Sequence, residues 1–113
     1  MRAKLLGLES SEFDPLVDFT PVSKIFSITV RLLIGIDGSD GEDLFDIQVC
    51  SPEWLQMQEL PLVGRHMLIV HEFNYHAIYH YLEKLTGNCQ GDSWQEIAQR
   101  LARFAYWEFE DYR

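Results

Sequence analysis

The stretch GEDLFDIQVCSPEWL (residues 41–55) decides the fold because it joins a turn, a strand and the start of a helix. Apolar and polar side chains alternate over residues 45–49, which is the period-2 pattern of a half-buried strand. Ser51 followed by Pro52 is typical of a helix start, because a serine hydroxyl caps the first turn and proline lacks an amide that this turn leaves unpaired. We therefore predict a strand that ends at Cys50, followed by a short helix.

A second alternating stretch, residues 25–36, precedes this strand. Between the two, residues 37–41 contain two glycines and two aspartates, which favour a reversal of the chain. We therefore predict that residues 25–36 and 44–50 pair as a long antiparallel hairpin with an acidic tip. The side chains predicted to lie against the helices are Phe26, Ile28, Val30, Phe45, Ile47 and Val49.

The remaining segments complete an α+β pattern. Residues 1–9 are predicted to form a short strand, and residues 66–70 a third main strand that is more fully buried because its apolar run is continuous. Asn74 and Ser93 are predicted N-caps of two later helices, each with an apolar stripe. Helices gathered late in the chain cover one face of an antiparallel sheet. We expect two C-terminal helices and the short helix after the hairpin to do so.

Composition limits the class of protein. At 113 residues, 47% of them hydrophobic, the chain is predicted to be a single folded domain over residues 1–113. Eighteen acidic against nine basic residues give a formal charge of -9. This charge repels nucleic acids and anionic membranes, so neither is an expected partner, and it attracts a basic protein.

The two cysteines, Cys50 and Cys89, lie in no zinc-binding spacing and give no disulfide framework. The apolar run at residues 5–8 is shorter than the core of a signal peptide, and no segment is long enough to span a bilayer. These features predict a cytoplasmic protein.

His76, His80 and Glu83 share one face of the helix predicted after Asn74 and are the candidate metal ligands. No fourth ligand is visible, so we favour a solvated polar face and predict no metal and no cofactor. Catalysis has little support either, because no serine lies in a nucleophile-elbow motif and no glycine-rich phosphate loop is present. We predict no catalytic residue.

The acidic tip resembles a calcium loop in composition only. With Asp37 as position 1, Glu42 replaces the required glycine and Gln48 replaces the required glutamate. The tip is either a solvated turn or an anionic patch that meets Lys and Arg of a partner. The same two alternatives hold for residues 107–112, whose aromatic side chains either tuck against the sheet or join the acids in a contact surface.

Several blocks of this chain resemble the immunity protein 8 family. The resemblance covers roughly residues 24–112 and is most specific in the second and last of these blocks: FSITVRLLIG (26–35), FDIQVCSPEWL (45–55), GRHMLIVHEF (64–73) and YWEFEDY (106–112). Proteins of this family are cytosolic antidotes encoded beside secreted bacterial polymorphic toxins, and they are not enzymes. The resemblance implies the same role here.

Our leading hypothesis is an immunity protein that binds and neutralises a cognate toxin by covering its active site or an adjacent surface. If that toxin is a nuclease, its basic groove would attract the acidic chain. The alternatives are an acidic adaptor domain with no toxin partner and, third, a small metal-dependent enzyme built on His76, His80 and Glu83. The oligomeric state is open. The predicted partner-binding residues are Asp37, Asp40, Glu42, Asp43, Glu108, Glu110, Asp111 and Tyr112.

Overall fold

The predicted hairpin forms the centre of the fold. The computed structural model of the chain describes residues 1–110. In it, β2 (Ser27–Ile36) and β3 (Asp43–Cys50) pair antiparallel, with Val30 opposite Ile47. The strands differ from the predicted bounds by at most two residues, so the hairpin is confirmed.

The turn at the tip of the hairpin depends on glycine. Gly38 and Gly41 have φ angles of 85° and 93°, in the left-handed region that glycine adopts without steric cost. Two backbone hydrogen bonds hold the turn, from Ser39 N–H to the Ile36 carbonyl at 3.0 Å and from Asp37 N–H to the Arg2 carbonyl at 2.9 Å. Asp40, the acid between the two glycines, is therefore carried by a hydrogen-bonded turn.

Three shorter strands complete a five-stranded sheet. β1 (Ala3–Glu9) pairs antiparallel with β2 and has an irregularity between Leu5 and Gly7. β4 (Met67–Ile69) runs parallel to β3, whereas β5 (Tyr106–Trp107) pairs antiparallel with the beginning of β3. The strand order is β1-β2-β3-β4. β5 also pairs with β3, at Phe45 and Asp46, whereas β4 pairs with residues 48–50 of β3.

Each helix begins at the residue that the sequence predicts. The side chains of Ser51, Asn74 and Ser93 each accept a hydrogen bond from the amide three residues later, which satisfies a donor that the first turn leaves unpaired. A 3-10 helix, Leu16–Asp18, lies between β1 and β2. The helices are α1 (Pro52–Gln56), α2 (Tyr75–Gly87) and α3 (Trp94–Leu101).

The core lies between one face of the sheet and the later helices. All six side chains that the sequence places there are buried, with at most 8% of their surface exposed. Helix α2 contributes Ile78 and Leu82 to this core, and α3 contributes Ile97 and Leu101. The predicted α+β class, with helices over a mainly antiparallel sheet, is therefore confirmed.

The prediction for residues 66–70 was wrong in its extent and burial. β4 has only three residues, and the side chain of Ile69 is 52% exposed. The continuous apolar run suggested burial on both faces, but β4 is the last strand in the sheet order of residues 1–110. Only Leu68 and Val70 pack against the core.

Beyond the end of β1, hydrogen bonds between side chains and the β2 backbone replace the backbone pairing of the two strands. The Ser10 hydroxyl donates to the Thr29 carbonyl at 2.6 Å, and the Glu12 carboxylate accepts from the Thr29 amide. These contacts fix the segment after β1 along the edge of β2. Ser10 and Thr29 also line a polar cleft.

Candidate partner-binding surface

The hairpin tip presents three exposed carboxylates, those of Asp37, Asp40 and Glu42. Asp37 lies 3.9 Å from the Lys4 ammonium group, and both side chains are more than half exposed. An ion pair of this kind contributes little in water. The tip is therefore an anionic surface open to solvent.

Asp43 differs from the other tip acids because its carboxylate is already engaged. One oxygen, Oδ2, accepts hydrogen bonds from two indole N–H groups, that of Trp94 at 2.7 Å and that of Trp107 at 2.9 Å. The two tryptophans belong to α3 and β5, so Asp43 ties both elements to the start of β3. Asp43, one of the predicted contact residues, therefore has a structural role.

A cleft of about 330 Å³ opens beside this cluster. It is lined by Trp94, by the carboxyl-bearing residues Asp40, Glu42 and Asp43, and by residues 34–36. An aromatic ring and carboxylates together suit a cationic group, because the ring face and the negative charges both attract it. The cleft can therefore accept a Lys or Arg side chain.

The structure brings Glu108 to this end of the molecule. Its amide donates to the Leu44 carbonyl at 3.1 Å, and its carboxylate accepts from the Leu44 amide at 2.9 Å. Glu108 is thereby fixed next to Asp43. A C-terminal acid, far from the hairpin in sequence, is therefore held beside the first residues of β3.

Glu110 is held differently, through a 2.7 Å ion pair with the guanidinium group of Arg65. The same guanidinium group lies 5.6 Å from the centre of the Tyr106 ring. Glu110 follows Glu108 by two residues, but Arg65 largely balances the negative charge of Glu110. Asp111 and Tyr112, the last two predicted contact residues, lie outside the described residues.

Next to Arg65, His66 adopts a backbone φ of 61°, which is uncommon for a residue with a side chain. Its buried ring lies edge-on to Tyr106, with ring centres 4.0 Å apart, and its Nε2 is 2.7 Å from the Ala102 carbonyl oxygen. This ring fixes the turn before β4 against the segment after α3.

A second cleft, of about 380 Å³, lies on the sheet face opposite the core. Arg31 on β2 and Asp46 on β3 form a bidentate ion pair, with N–O distances of 3.0 and 3.3 Å. The hydrogen bond to Asp46 raises the pKa of the Arg31 guanidinium. The other residues that line the cleft are Glu9, Ser10, Ser11, Asp14 and Thr29.

The candidate metal ligands point to solvent. His76, His80 and Glu83 are all exposed, on the side of α2 opposite the buried Ile78 and Leu82. Within residues 1–110, no group of three or more His, Cys, Asp or Glu side chains is arranged to hold a metal ion. The exposure of these three side chains matches a solvated helix face.

The two thiols are poorly placed for nucleophilic chemistry. Cys50 and Cys89 are both buried and unbridged. Burial raises the pKa of both thiols, so the reactive thiolate is scarce at neutral pH. The Ser51 hydroxyl accepts hydrogen bonds from the amides of Phe26 and Trp54 and serves as a cap.

An apolar surface that was not predicted from the sequence lies between α1 and β4. Leu60, Leu62 and Val63 are 70%, 44% and 83% exposed, and the preceding Met57 is 69% exposed. The signal was present as an apolar run beside Pro61, in a segment that the sequence marks only as a break between elements. Exposed apolar side chains grouped in this way are typical of contact sites.

Of the helices within residues 1–110, none is both long and apolar enough to cross a membrane. No curated protein and no solved structure matches the chain. The sequence model of one family, immunity protein 8, does match it, over residues 3–112. The match takes in both the hairpin and the C-terminal segment that packs beside it, and extends the resemblance seen in the sequence toward the N-terminus. The chain belongs to the immunity protein 8 family.

Proposed function

We propose that the chain acts as a single domain, residues 1–113, that binds and neutralises a cognate bacterial toxin by covering its active site or an adjacent surface. The observation that carries this proposal is the family match over nearly the whole chain. An inhibitor of this kind works by stoichiometric binding. It needs a stable complementary surface and no catalytic group of its own.

The surface we propose for toxin binding is the acidic end, which we define as Asp37, Asp40, Glu42, Asp43 and Glu108. Glu110 is included in the proposed contact, as are Asp111 and Tyr112, which lie outside the described residues. A formal charge of -9 favours a basic partner and raises the rate of encounter with it. A toxin that acts on nucleic acid has a basic groove and would meet this requirement.

The residues of the acidic end divide by their environment. Asp40 and Glu42 are exposed, so they are suited to long-range attraction and to the rim of an interface. Asp43 and Glu108 are engaged in hydrogen bonds that shape the surface. The cleft beside Trp94 is suited to hold one Lys or Arg side chain of the toxin.

Catalysis by this chain is not part of the proposal. Immunity proteins act by binding, and the buried thiols and capping hydroxyls described above supply no activated nucleophile. The acidic charge also disfavours nucleic acid or an anionic membrane as a direct partner. We place the encounter with the toxin in the cytoplasm, where an antidote protects the cell that makes it.

Co-expression tests the proposed function. The toxin domain encoded by the adjacent gene is expressed in bacteria with and without this chain. We expect the chain to restore growth and to copurify with the toxin domain in a fixed ratio. Growth arrest that persists despite equal amounts of folded chain, together with no copurification, would refute the proposal.

A further inference from the structure

We propose that the outer edge of β4 binds an extended segment of the toxin, which adds to the sheet as a sixth strand. The inference rests on the proposed function and adds a second contact to the acidic end. The segment it requires is a short run of apolar residues with Lys or Arg at its ends.

The backbone of β4 is oriented for such an addition. His66 and Val70, on either side of β4, bond to β3: the Gln48 amide donates to the His66 carbonyl at 3.0 Å, and the Val70 amide donates to the Cys50 carbonyl at 2.9 Å. Because backbone groups alternate in direction along a strand, those of Met67 and Ile69 point away from β3. No other strand of residues 1–110 pairs with that side of β4.

A groove lies on each side of this edge. The first, of about 350 Å³, lies between β4 and α2 and is lined by Val70, Ile78 and Tyr81 among others. The second, of about 370 Å³, lies toward α1 and is lined by residues that include Leu62 and Met67. Ile69 borders both grooves.

These two grooves match the geometry of an added strand. Successive side chains of a strand point to opposite faces of the sheet. One residue of the incoming segment therefore enters the first groove and the next residue enters the second. Main-chain hydrogen bonds then supply affinity, and the grooves supply selectivity for apolar side chains. The exposed Leu60 and Leu62 add apolar area to the second groove.

The two edges of the sheet are protected to different degrees. β1 carries the charged residues Lys4 and Glu9 and an irregularity after Leu5, which all discourage pairing with another chain. β4 carries no charge between Met67 and Ile69. Of the features that discourage pairing with another chain, β4 has only its short length.

Charge decides between the possible occupants. Two copies of this chain would bring together two molecules of formal charge -9, which opposes their pairing at this edge. Glu72 lines the first groove, and Glu59 precedes the apolar Leu60. These acids complement basic residues at the ends of a toxin segment.

The first test compares two substitutions that add the same charge at similarly exposed apolar positions. Ile69→Lys lies on the β4 edge, where the side chain is 52% exposed, and Leu6→Lys lies on β1, where it is 48% exposed. The probe is the purified toxin domain encoded by the adjacent gene. We expect Ile69→Lys to weaken binding at least roughly 30-fold, the effect of a hot-spot residue, and Leu6→Lys to change it less than about 3-fold. Equal thermal unfolding midpoints would show that both variants fold.

The second test measures hydrogen exchange of the backbone amides with and without the toxin domain. Strand addition protects the amides of Met67 and Ile69, which face away from β3, whereas contact through side chains alone leaves them exchanging. Binding with neither protection nor an effect of Ile69→Lys would refute this inference and leave the proposed function intact. If the two amides are protected in the isolated chain in a concentration-dependent way, the occupant is a second copy. If the toxin domain does not bind at all, both proposals fail.

Discussion

At the scale of single residues, Asp43 shows why a binding role and a structural role must be separated. The sequence identifies it as one acid in a cluster at a turn. Its two indole partners, Trp94 and Trp107, are 51 and 64 positions away, so no local pattern reveals them. The ion pair of Arg65 with Glu110, 45 positions away, is a second contact of this kind.

The first prediction concerns Asp43→Ala. The substitution leaves two partly buried indole N–H groups without their acceptor, and we expect a loss of about 2–3 kcal/mol in the free energy of unfolding. Asp40→Ala, at an exposed position of the same turn, should change stability by less than about 0.5 kcal/mol. Denaturant unfolding monitored by tryptophan fluorescence measures both variants. Equal stability of the two would show that the shared acceptor contributes nothing.

The second prediction concerns the charge of Glu96. Hydrogen bonds from the Asp92 amide and from Arg100 lower the pKa of this exposed carboxyl group. Its folded pKa therefore lies below its unfolded pKa, so the stabilisation is present at neutral pH and is lost as the pH falls from about 4.3 through the lowered value.

The variant Glu96→Gln keeps the shape of the side chain without its charge. We expect it to be less stable than the parent at pH 7 and equally stable in acid, below the lowered pKa, as measured by thermal unfolding across pH. A difference that persists unchanged in acid would show that the charge is not its source.

At the scale of secondary-structure elements, local signals predicted most of the fold. The period-2 patterns, the turn glycines and the N-caps Ser51, Asn74 and Ser93 each fix one element through contacts within a few residues, and the structure has these elements where predicted. β4 was the exception. Whether an apolar run lies in the middle of a sheet or at its edge depends on strand order, which local sequence does not encode.

The third prediction tests the face assignment of β3. Ile47 is 3% exposed and packs in the core, so Ile47→Ala should cost about 2–5 kcal/mol through lost burial and the cavity left behind. Thr29→Ala, at an exposed position on the other face of the hairpin, is the control and should cost less than about 1 kcal/mol. Urea unfolding of the two variants provides the comparison. A loss below about 1 kcal/mol for Ile47→Ala would mean that its side chain does not fill the core.

At the scale of the whole molecule, composition indicated a negative electrostatic field but not which part of the surface produces it. The charge of -9 is a sum over the sequence, whereas the structure shows which acids remain exposed. Asp46, Asp43 and Glu110 are engaged in contacts within the chain, with Arg31, two tryptophans and Arg65 respectively. Reversing these charges would disturb the fold and binding together, so they are poor probes of an interface.

The last prediction therefore uses Asp40 and Glu42, which are exposed at the tip. The double variant Asp40→Lys plus Glu42→Lys should slow association with the toxin domain by roughly 10-fold or more at low salt, because it removes attraction at the proposed contact. Asp18→Lys plus Glu83→Lys makes the same change in net charge at exposed positions away from the tip and is the matched control.

Association rates of the parent and both double variants, measured at low and high salt, separate local from overall attraction. We expect the tip variant to be slowed more than the control, and the difference to shrink at high salt, where charges are screened. Equal slowing of both variants would mean that net charge alone steers the encounter. A parent rate that ignores salt, with the tip variant binding like the parent, would remove the acidic end from the interface and leave the β4 edge as the contact to test.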